Sequence, residues 1–304
     1  MAEDTDRITH WTAEQHLQAA AASFHDDSLP FACAAPAASV LPSVHALAPS
    51  VYREDAPPSF DGLDTVGGLD ISFPDAAGDE GIAVLAVLSF PELELLHTLT
   101  RRITLSSTPY VHSFLSFREA DHYTALVDEL RAQPGARVPQ VLLVDGNGRW
   151  HPRQAGSAVA VGVKTGLPTL GVAKEYHPLH ASSFAAPPAP LDPPLPFPPD
   201  FRASQKGMRS AAKALLTRRG DWFGLVPPPD SPDEAYWGAA VLASPSRGAS
   251  NPLFVSPGHR LSLATCVRLA LACCTESKVP EPVRRADAIG REEVRKLWGS
   301  SSGG

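Results

Sequence analysis

Short apolar runs separated by turn residues predict several β-strands in the chain. Residues 66–73, 83–90 and 100–105 are rich in leucine or β-branched residues, and three such segments in a row predict an antiparallel meander. Residues 140–144 and 169–173 are continuous apolar runs, which are typical of strands buried on both faces of a sheet. Parallel strands of this kind need helical connections.

Apolar residues at helical spacing predict helices between and around these strands. The predicted helices cover residues 12–24, 119–132, about 156–165 and 262–274. Thr12 and Gln15 resemble a capping box at the start of the first helix. Two further strands are predicted at residues 236–242 and 252–256. A meander followed by parallel strand and helix units predicts one mixed α/β domain.

The 31 prolines of the 304-residue chain cluster in segments that are poor candidates for a helix or a central strand, because proline lacks the backbone N–H. We expect flexible insertions at residues 28–58, 178–201 and 227–235, and a flexible tail at residues 299–304. The remaining segments, about 59–177 and 202–298, form the predicted core of a single domain.

Composition and charge restrict the class of protein only in part. Apolar residues make up 43% of the chain, which is ample for a core, and the formal net charge of −7 argues against a protein that coats a polyanion. An enzyme, however, needs only a local basic track. Six Lys and Arg residues between Arg202 and Arg219 have no acidic residue among them, and they form either a solvated helix face or such a track.

The four cysteines and the N-terminus indicate an intracellular protein. No CxxC pair occurs, so a zinc site is not predicted and the thiols are expected to be reduced. The first residues lack a basic segment followed by an apolar run, and no apolar stretch approaches a membrane span of about 20 residues. We therefore expect a soluble monomer in the cytoplasm, the nucleus (including the nucleolus) or both.

Three carboxylates occupy positions where an acidic residue is costly unless it is paired, hydrogen-bonded or bound to a metal ion. Asp70 lies within a predicted strand, Glu119 at the entrance to a predicted helix, and Asp145 at the carboxyl end of a buried strand. Each alone has an ordinary explanation as a turn or N-cap residue, and that explanation suits Glu119 best. Together they indicate a site, and their hard oxygen ligands favour Mg²⁺ or Mn²⁺ over zinc.

Four basic residues accompany the carboxylates. Each lies directly after a predicted strand or in a glycine-marked turn, and they are Arg118, His151, Lys174 and His259. A single histidine or lysine in a loop is usually just solvated. Because all four are expected to face the same end of the sheet, where open α/β sheets place ligand chemistry, they favour a common site.

Six segments, in order along the chain, resemble motifs of the endonuclease V family. They are Asp70–Phe73, Pro109–Glu119, Val144–Arg153, Gly171–Lys174, Val255–Arg260 and Pro280–Arg284. The resemblance extends from about Trp11 to Trp298, apart from the proline-rich insertions, and the segment from Arg268 to Leu297 is most similar to eukaryotic members. An ordered set of six motifs is far more specific than any one of them.

This resemblance implies an RNase H-like fold, which is an α/β fold with a mixed central sheet flanked by helices, and a metal-dependent endonuclease. The three carboxylates would gather the catalytic Mg²⁺, for which Mn²⁺ can substitute, with His259 nearby. His151 and Lys174 would contact phosphate or assist in handling protons and charge.

The resemblance also implies a site for a flipped base. Tyr110 matches the family's wedge, which stacks beside the lesion. The implied substrate contacts are Leu115, Arg118, Gly146, Gly156, Gly171 and Ala173, and small residues with backbone amides allow hypoxanthine to approach closely. The chain departs from the family at His112 and Ser113, where Pro or Ser and then Gly are usual, and at Ala160, where most members carry histidine.

For function, the resemblance implies cleavage one nucleotide beyond an inosine on its 3′ side, leaving 3′-hydroxyl and 5′-phosphate ends. The eukaryotic character of the C-terminal segment favours inosine in single-stranded RNA, and repair of deoxyinosine in DNA is the alternative. An inosine-binding protein that has lost catalysis is a further alternative, and the intact carboxylate set argues against it. An RNase H-like resolvase would show a different acidic spacing.

Overall fold

A computed structural model describes residues 2–34, 52–53, 59–74, 79–106, 108–179, 204–226, 236–244 and 251–299. The predicted insertion 227–235 lies outside these residues, as do residues 180–201 of the second insertion and 300–304 of the tail. Within the described ranges, no helix combines the length and apolar character that a membrane span requires.

The strands arise from the apolar runs of the sequence. They are β1 (Ala32–Ala34), β2 (Tyr52–Arg53), β3 (Ser59–Asp61), β4 (Thr65–Ser72), β5 (Glu80–Ser89), β6 (Leu95–Thr104), β7 (Val141–Asp145), β8 (Thr169–Ala173), β9 (Asp221–Leu225), β10 (Gly238–Val241) and β11 (Leu253–His259). The helices are α1 (Ala2–Ala21), α2 (Ser116–Ala132), α3 (Ser157–Thr165), α4 (Gln205–Leu215), α5 (Leu263–Ala272) and α6 (Glu281–Trp298).

A mixed sheet of nine strands forms the centre, in the order β2-β9-β10-β11-β8-β7-β4-β5-β6. The strands β4, β5 and β6 form the predicted antiparallel meander. The buried strands β7 and β8 pair in parallel with each other, and β7 also pairs in parallel with β4. The remaining strands from β11 to β2 are antiparallel to their neighbours. The predicted meander, the parallel pair and the mixed sheet are all confirmed.

Helices cover both faces of this sheet, because alternate strand residues supply separate cores. On one face, α5 and α6 pack against side chains such as Val66, Val84 and Val255. On the other face, α2 and α3 pack against residues such as Leu69 and Leu85, while α4 covers β8 to β11. Parallel strands buried on both faces explain why β7 reads as an unbroken apolar run.

The structure corrects the predicted N-terminal helix. The helix α1 begins at Ala2 rather than at residue 12, because residues 2–11 contain neither proline nor glycine to prevent it. Thr12 therefore lies inside the helix, and the predicted capping box with Gln15 is wrong. The side chain of Gln15 is instead fully buried and bonds to another part of the chain.

Several elements differ from or extend the predictions. Parts of residues 28–58, predicted as an irregular insertion, form β1 and β2, which pair with β3 and β9. The strand β9 and the helix α6 were not predicted at all. Gly224 breaks the short apolar run of β9, and the residues that α6 buries are mostly small or polar, so α6 shows no strong apolar pattern.

Candidate active site

Two of the predicted carboxylates meet at one edge of the sheet. The strands β4 and β7 run in parallel, with Leu69 opposite Val144, so the next residues, Asp70 and Asp145, lie at the same level. Their carboxyl groups share a hydrogen bond. The Lys174 ammonium, just past β8, lies 2.6 Å from Asp145 Oδ2 and forms an ion pair with it. The parallel register thus assembles these groups, as predicted for the carboxyl ends of central strands.

Asp70 experiences a strongly unfavourable electrostatic environment for a charged carboxylate. Burial, and then the neighbouring negative charge of Asp145, raise its pKa to about 8. The Lys174 ammonium opposes this shift, while Asp287 adds to it. Burial works against the charge of Lys174 as well, but its pairing with Asp145 outweighs that effect and raises the lysine pKa.

Glu119 joins this group from the first turn of α2. Its side chain is buried, and burial raises its pKa to about 8 even though the Ser157 hydroxyl donates a hydrogen bond of 3.1 Å to its Oε2. The charge of Asp145 also raises the pKa of Glu119. Burial, and then the charges of Glu119, Asp70 and Asp145, raise the pKa of the Tyr123 hydroxyl. The structure therefore brings all three predicted carboxylates into one neighbourhood.

A fourth carboxylate, Asp287 on α6, belongs to the same neighbourhood and was not predicted. Its negative charge contributes to the raised pKa values of both Asp70 and Lys174. Its carboxylate accepts a hydrogen bond of 2.8 Å from Arg291 Nε. The helix reaches this position because β4 offers it a glycine. A Cβ on Gly68 would lie 2.0 Å from the backbone oxygen of Pro282, so only glycine permits this approach.

A weak sequence signal for Asp287 existed. The motif Pro280–Arg284 lies directly before it, and its proline at the second helical position favours a helix start there. A helix continued from this motif places Asp287 and Arg291 one turn apart on the same face.

The donor set fits a hard divalent cation by chemistry. Among the described residues, no three His, Cys, Asp or Glu side chains are already arranged as a metal-ligand set. The carboxyl oxygens are nevertheless the ligands that Mg²⁺ and Mn²⁺ prefer. Burial raises the pKa values of Asp70 and Glu119, so a bound cation would stabilise the carboxylate form that the buried site otherwise disfavours.

The strand directions separate His259 from this group. The strand β11 is antiparallel to β8, and His259 pairs with Thr169, the first residue of β8, whereas Lys174 follows the last. The ring of His259 instead accepts a hydrogen bond of 3.2 Å at Nδ1 from the Ser23 backbone N–H. The expectation that His259 faces the same sheet end as the carboxylates, near the metal ion, is therefore wrong.

The predicted wedge lies on the surface beside the carboxylates. Tyr110 is 64% exposed and Leu115, at the N-cap of α2, is 42% exposed. The Arg118 guanidinium lies 6.0 Å from the centre of the Tyr110 ring and forms an ion pair of 3.3 Å with Asp79. An exposed aromatic ring with a cation at its face is suited to stacking against a nucleobase.

The small residues predicted for the base pocket surround the loop after β7. Gly146, next to Asp145, has a φ of +134°, which favours glycine. A Cβ on Gly171 would lie 2.5 Å from the backbone N of Gly148, so the loop packs directly on β8. Gly156 is the N-cap of α3 beneath the same loop. Ala173 is buried, on the face that α4 covers. These glycines let the loop approach closely, and their contact with a base stays a prediction.

His151 has a defined structural task. Its Nε2 lies 2.9 Å from the carbonyl oxygen of Ser113, and its Nδ1 accepts a bond of 3.3 Å from the Arg153 backbone N–H. Burial, followed by the charge of Arg153, lowers its pKa to about 3, so the ring is neutral. Both ring nitrogens are therefore engaged within the protein, and the catalytic role of His151 stays a prediction.

The Ser113 carbonyl is an anchor for the wedge loop. It also accepts hydrogen bonds from Arg153 Nη2 at 2.7 Å and from Gln15 Nε2 at 3.2 Å. Ser113 itself has a φ of +66°, an unfavourable backbone conformation for serine. Gln15 further donates to the Ala155 carbonyl at 3.1 Å, and its Oε1 accepts from Arg153. One buried glutamine of α1 thus ties the wedge loop to the loop after β7.

Gln15→Leu is expected to lower the free energy of unfolding by about 1–3 kcal/mol, because it leaves buried polar partners and a charged Arg153 donor unsatisfied. Urea denaturation monitored by circular dichroism measures this change. Gln18→Leu is the matched control, since Gln18 is also buried on α1 but donates to Glu14 of the same helix, at 3.1 Å, and its Oε1 has no partner among the described residues. Equal destabilisation by both substitutions would show that the anchor contributes nothing specific.

Another departure from the family, Ala160, is buried in α3 among the residues that pack against α2. It fills that interface as a small side chain.

The basic run between residues 202 and 219 is only partly available to bind a phosphate backbone. Arg219 donates from Nη2 to the carbonyl oxygens of Leu271 and Cys274, at 2.9 and 2.6 Å, and so has a structural role.

Comparison with known proteins identifies relatives over most of the chain. Residues 45–288 match the family model for Endonuclease V. Endonuclease V from Homo sapiens is 39% identical over 242 residues, which cover 80% of this chain and 76% of the relative. Endonuclease V from Roseiflexus castenholzii is 33% identical over 234 residues, covering 77% of this chain and 84% of the relative.

Solved structures agree with this assignment. The crystal structure of human ENDOV matches with a TM-score of 0.68 and 34% identity, over 95% of this chain and 99% of that chain. Ciona intestinalis endonuclease V, in complex with a DNA 24mer that contains an inosine followed by a ribo-adenosine, matches with a TM-score of 0.69 and 26% identity, over 96% and 99% of the two chains. These neighbours have the predicted RNase H-like fold, which is thereby confirmed.

Proposed function

The chain belongs to the endonuclease V family, and we propose that it is a divalent-metal-dependent endonuclease that cuts a single-stranded RNA one nucleotide beyond an inosine on its 3′ side. The products would carry 3′-hydroxyl and 5′-phosphate ends. The observation that carries the proposal is the group of buried carboxylates at the edge of the sheet, with an exposed aromatic wedge beside it.

Asp70, Glu119 and Asp145 would hold the metal ion, and Asp287 is a fourth candidate ligand. Mg²⁺ is the proposed ion, and Mn²⁺ would substitute, because both prefer carboxylate oxygens. When bound, such an ion activates a water molecule, orients the scissile phosphate and stabilises the leaving 3′-oxygen. Once deprotonated, these carboxylates would concentrate negative charge in a buried site, where interactions with a cation are strong.

The remaining residues bind the strand. Lys174, which is partly exposed at the same edge, would neutralise a phosphate oxygen. Tyr110 would stack on a base, a contact worth about 1–3 kcal/mol that is tolerant of sequence. The Gly146 loop would present backbone groups to the Watson–Crick edge of hypoxanthine, which differs from adenine in its O6 and protonated N1.

A second set of basic groups lies along α6, beside Asp287. A pocket of about 570 Å³ along α6 is lined by Arg284, Arg291 and Arg295 together with Phe73 and Asp287. Such guanidinium groups beside a candidate ligand suit the phosphates that flank the cleaved bond. They supply the local basic track that a chain with a net charge of −7 requires.

The choice of RNA rests on similarity. The C-terminal motif segment is most similar to eukaryotic members, and the Ciona relative was solved with a ribonucleotide directly after the inosine. A 2′-hydroxyl at that position is the group by which a protein distinguishes RNA from DNA. Cleavage of deoxyinosine-containing DNA is the competing activity.

A cleavage assay with four matched single strands tests the proposal. The strands are RNA with inosine, RNA with adenosine, DNA with deoxyinosine, and DNA with deoxyinosine followed by one ribonucleotide. With Mg²⁺ or Mn²⁺, we expect cutting of the inosine RNA and of the mixed strand, and no cutting in chelator. Preferential cutting of the all-DNA strand would assign the chain to DNA repair. Binding without cutting under any metal would make it an inosine-binding protein.

A further inference from the structure

Three histidines from three different loops stack on one another beside the wedge. His112 belongs to the wedge loop, His177 to the loop that follows Lys174, and His151 to the loop after β7. The ring centres of His112 and His177 lie 5.0 Å apart with a tilt of 30°, and those of His177 and His151 lie 6.4 Å apart with planes only 1° from parallel. We refer to His112, His177 and His151 as the histidine column.

The column is fixed at one end and exposed at the other. His151 is buried and neutral, with both ring nitrogens bonded as described above. The backbone of His177 is held by a hydrogen bond of 2.9 Å from Trp150 Nε1 to its carbonyl oxygen. His112 lies on the surface. The contact between His112 and His177 is therefore where the exposed wedge loop meets a fixed support.

This contact connects two parts of the site. His112 follows Tyr110 by two residues, and His177 follows Lys174 by three. Tyr110 is the exposed stacking residue, whereas Lys174 bonds to Asp145 at the catalytic edge. A strand bound at both places must span the distance between them, so a rigid connection lowers the entropy lost on binding.

We propose that His112 and His177 are positioning residues, whose stacking holds the Tyr110 loop in register with Lys174 and the carboxylates. The proposal rests on the proposed function, because the strand they position is the inosine-containing substrate. An aromatic pair of this kind contributes about 0.5–1.5 kcal/mol beyond its buried area, enough to hold a surface loop but little enough to be reversible.

The contact is also sensitive to protonation. Burial, and then the nearby His112, lower the pKa of His177, and its Nε2 is buried with no hydrogen-bond partner among the described residues. Among the described residues, the titratable groups that contact its ring are His112 from the wedge loop and His151 from the loop after β7. Arg153 lies beside His151, and Lys174 and Glu175 precede His177 on its own loop.

The sign of the effect follows from this lowered pKa. Protonation of His177 is unfavourable while its ring is stacked. The contact is therefore fully formed above the ordinary histidine pKa of about 6.5. It weakens as the pH falls through the lowered pKa of His177. Wild-type protein should therefore bind the strand more weakly in mildly acidic solution.

Two substitutions at one position separate stacking from protonation. His177→Ala removes the ring, whereas His177→Phe keeps a ring that cannot take up a proton. At about pH 7.5, we expect His177→Ala to raise KM for the inosine strand by about 2- to 10-fold, with kcat unchanged, as expected for one aromatic contact. His177→Phe should have the wild-type KM at about pH 7.5. At about pH 5.5 the KM of wild type should rise, because histidine takes up a proton, whereas the KM of His177→Phe should not. His16→Ala, on the exposed face of α1, is the control.

An NMR measurement tests the contact without relying on activity. In the ligand-free protein, the Cε1–H resonance of His112 should move in His177→Ala, because the neighbouring ring is lost, and should keep a ring-induced shift in His177→Phe. An unchanged His112 resonance, an unchanged KM in His177→Ala, or retained pH dependence in His177→Phe relative to wild type would overturn the proposal. If wild-type protein neither binds nor cuts any inosine strand, the proposed function fails, while the His112 resonance still decides whether the stack exists.

Discussion

Asp70→Asn should lower kcat for cleavage of an inosine strand by at least about 10³-fold. The substitution preserves the shape of the side chain and removes one negative charge from the buried carboxylate group. The interactions of a metal ion with the transition state are worth several kcal/mol, and each 1.36 kcal/mol corresponds to a factor of ten in rate. Strand binding through Tyr110 and the basic groups should be retained, because these contacts do not involve Asp70. Single-turnover cleavage with a labelled strand measures the rate, and fluorescence anisotropy measures the binding.

Asp121→Asn is the matched control for this substitution. Asp121 lies on α2, two residues after Glu119, but its carboxylate is exposed and paired with Lys164. It should retain wild-type cleavage. Asp287→Asn should behave like Asp70→Asn if the fourth carboxylate is a ligand. A rate for Asp70→Asn within tenfold of wild type, with its binding intact, would remove Asp70 from the catalytic group and contradict the proposed mechanism.

The central strands were predictable because their residues satisfy two requirements at once. A strand buried on both faces must be apolar throughout, so β7 and β8 stand out as short unbroken runs. Each run ends at a polar residue, Asp145 or Lys174, because the chain leaves the core there. The parallel register of β4, β7 and β8 then brings Asp70 to the same edge. A polar residue at the end of a buried strand can thus be recognised from the few residues around it in the sequence.

The direction of a neighbouring strand is not a local signal. His259 closes a strand of the same sheet, just as Asp145 does, and its sequence context is equally suggestive. Only the antiparallel pairing of β11 with β8 places it at the opposite edge. Pairing direction depends on the connections between strands, and the residues around His259 carry no information about them.

Contacts that depend on how a helix or loop packs on a distant segment could not be predicted from the sequence either. Asp287 reaches the carboxylates because Gly68 on β4 admits the backbone of α6, a contact between segments more than 200 positions apart in sequence. Likewise, the loop position of His151 was apparent, but its engagement with the Ser113 carbonyl depends on where the wedge loop folds back. Such roles require the tertiary structure.

The stability of the chain should depend on pH and on divalent ions in a linked manner. Asp70 and Glu119 have pKa values raised to about 8, and the first cause in both cases is burial. Their ordinary values in an unfolded chain are about 3.9 and 4.3. The folded, metal-free protein therefore holds more protons than the unfolded chain between these limits. The contribution of these protonated carboxyl groups to the free energy of unfolding is fully present below about pH 4. It is lost as the pH rises through about 8, by at most about 1.4 kcal/mol per pH unit for each carboxyl.

A divalent ion should reverse this loss, because it binds the deprotonated carboxylates of the folded state. Relative to Asp70→Asn, the wild-type melting temperature in chelator should fall between about pH 6.5 and pH 8.5, a comparison in which the titration of buried histidines such as His151 is common to both proteins and cancels. Mg²⁺ or Mn²⁺ should raise the melting temperature strongly at the upper pH and little at the lower one. Asp70→Asn should flatten the dependence in chelator and reduce the response to the ion, whereas Asp121→Asn should preserve both. An ion effect of equal size at both pH values would mean that the ion binds somewhere other than at these buried carboxylates.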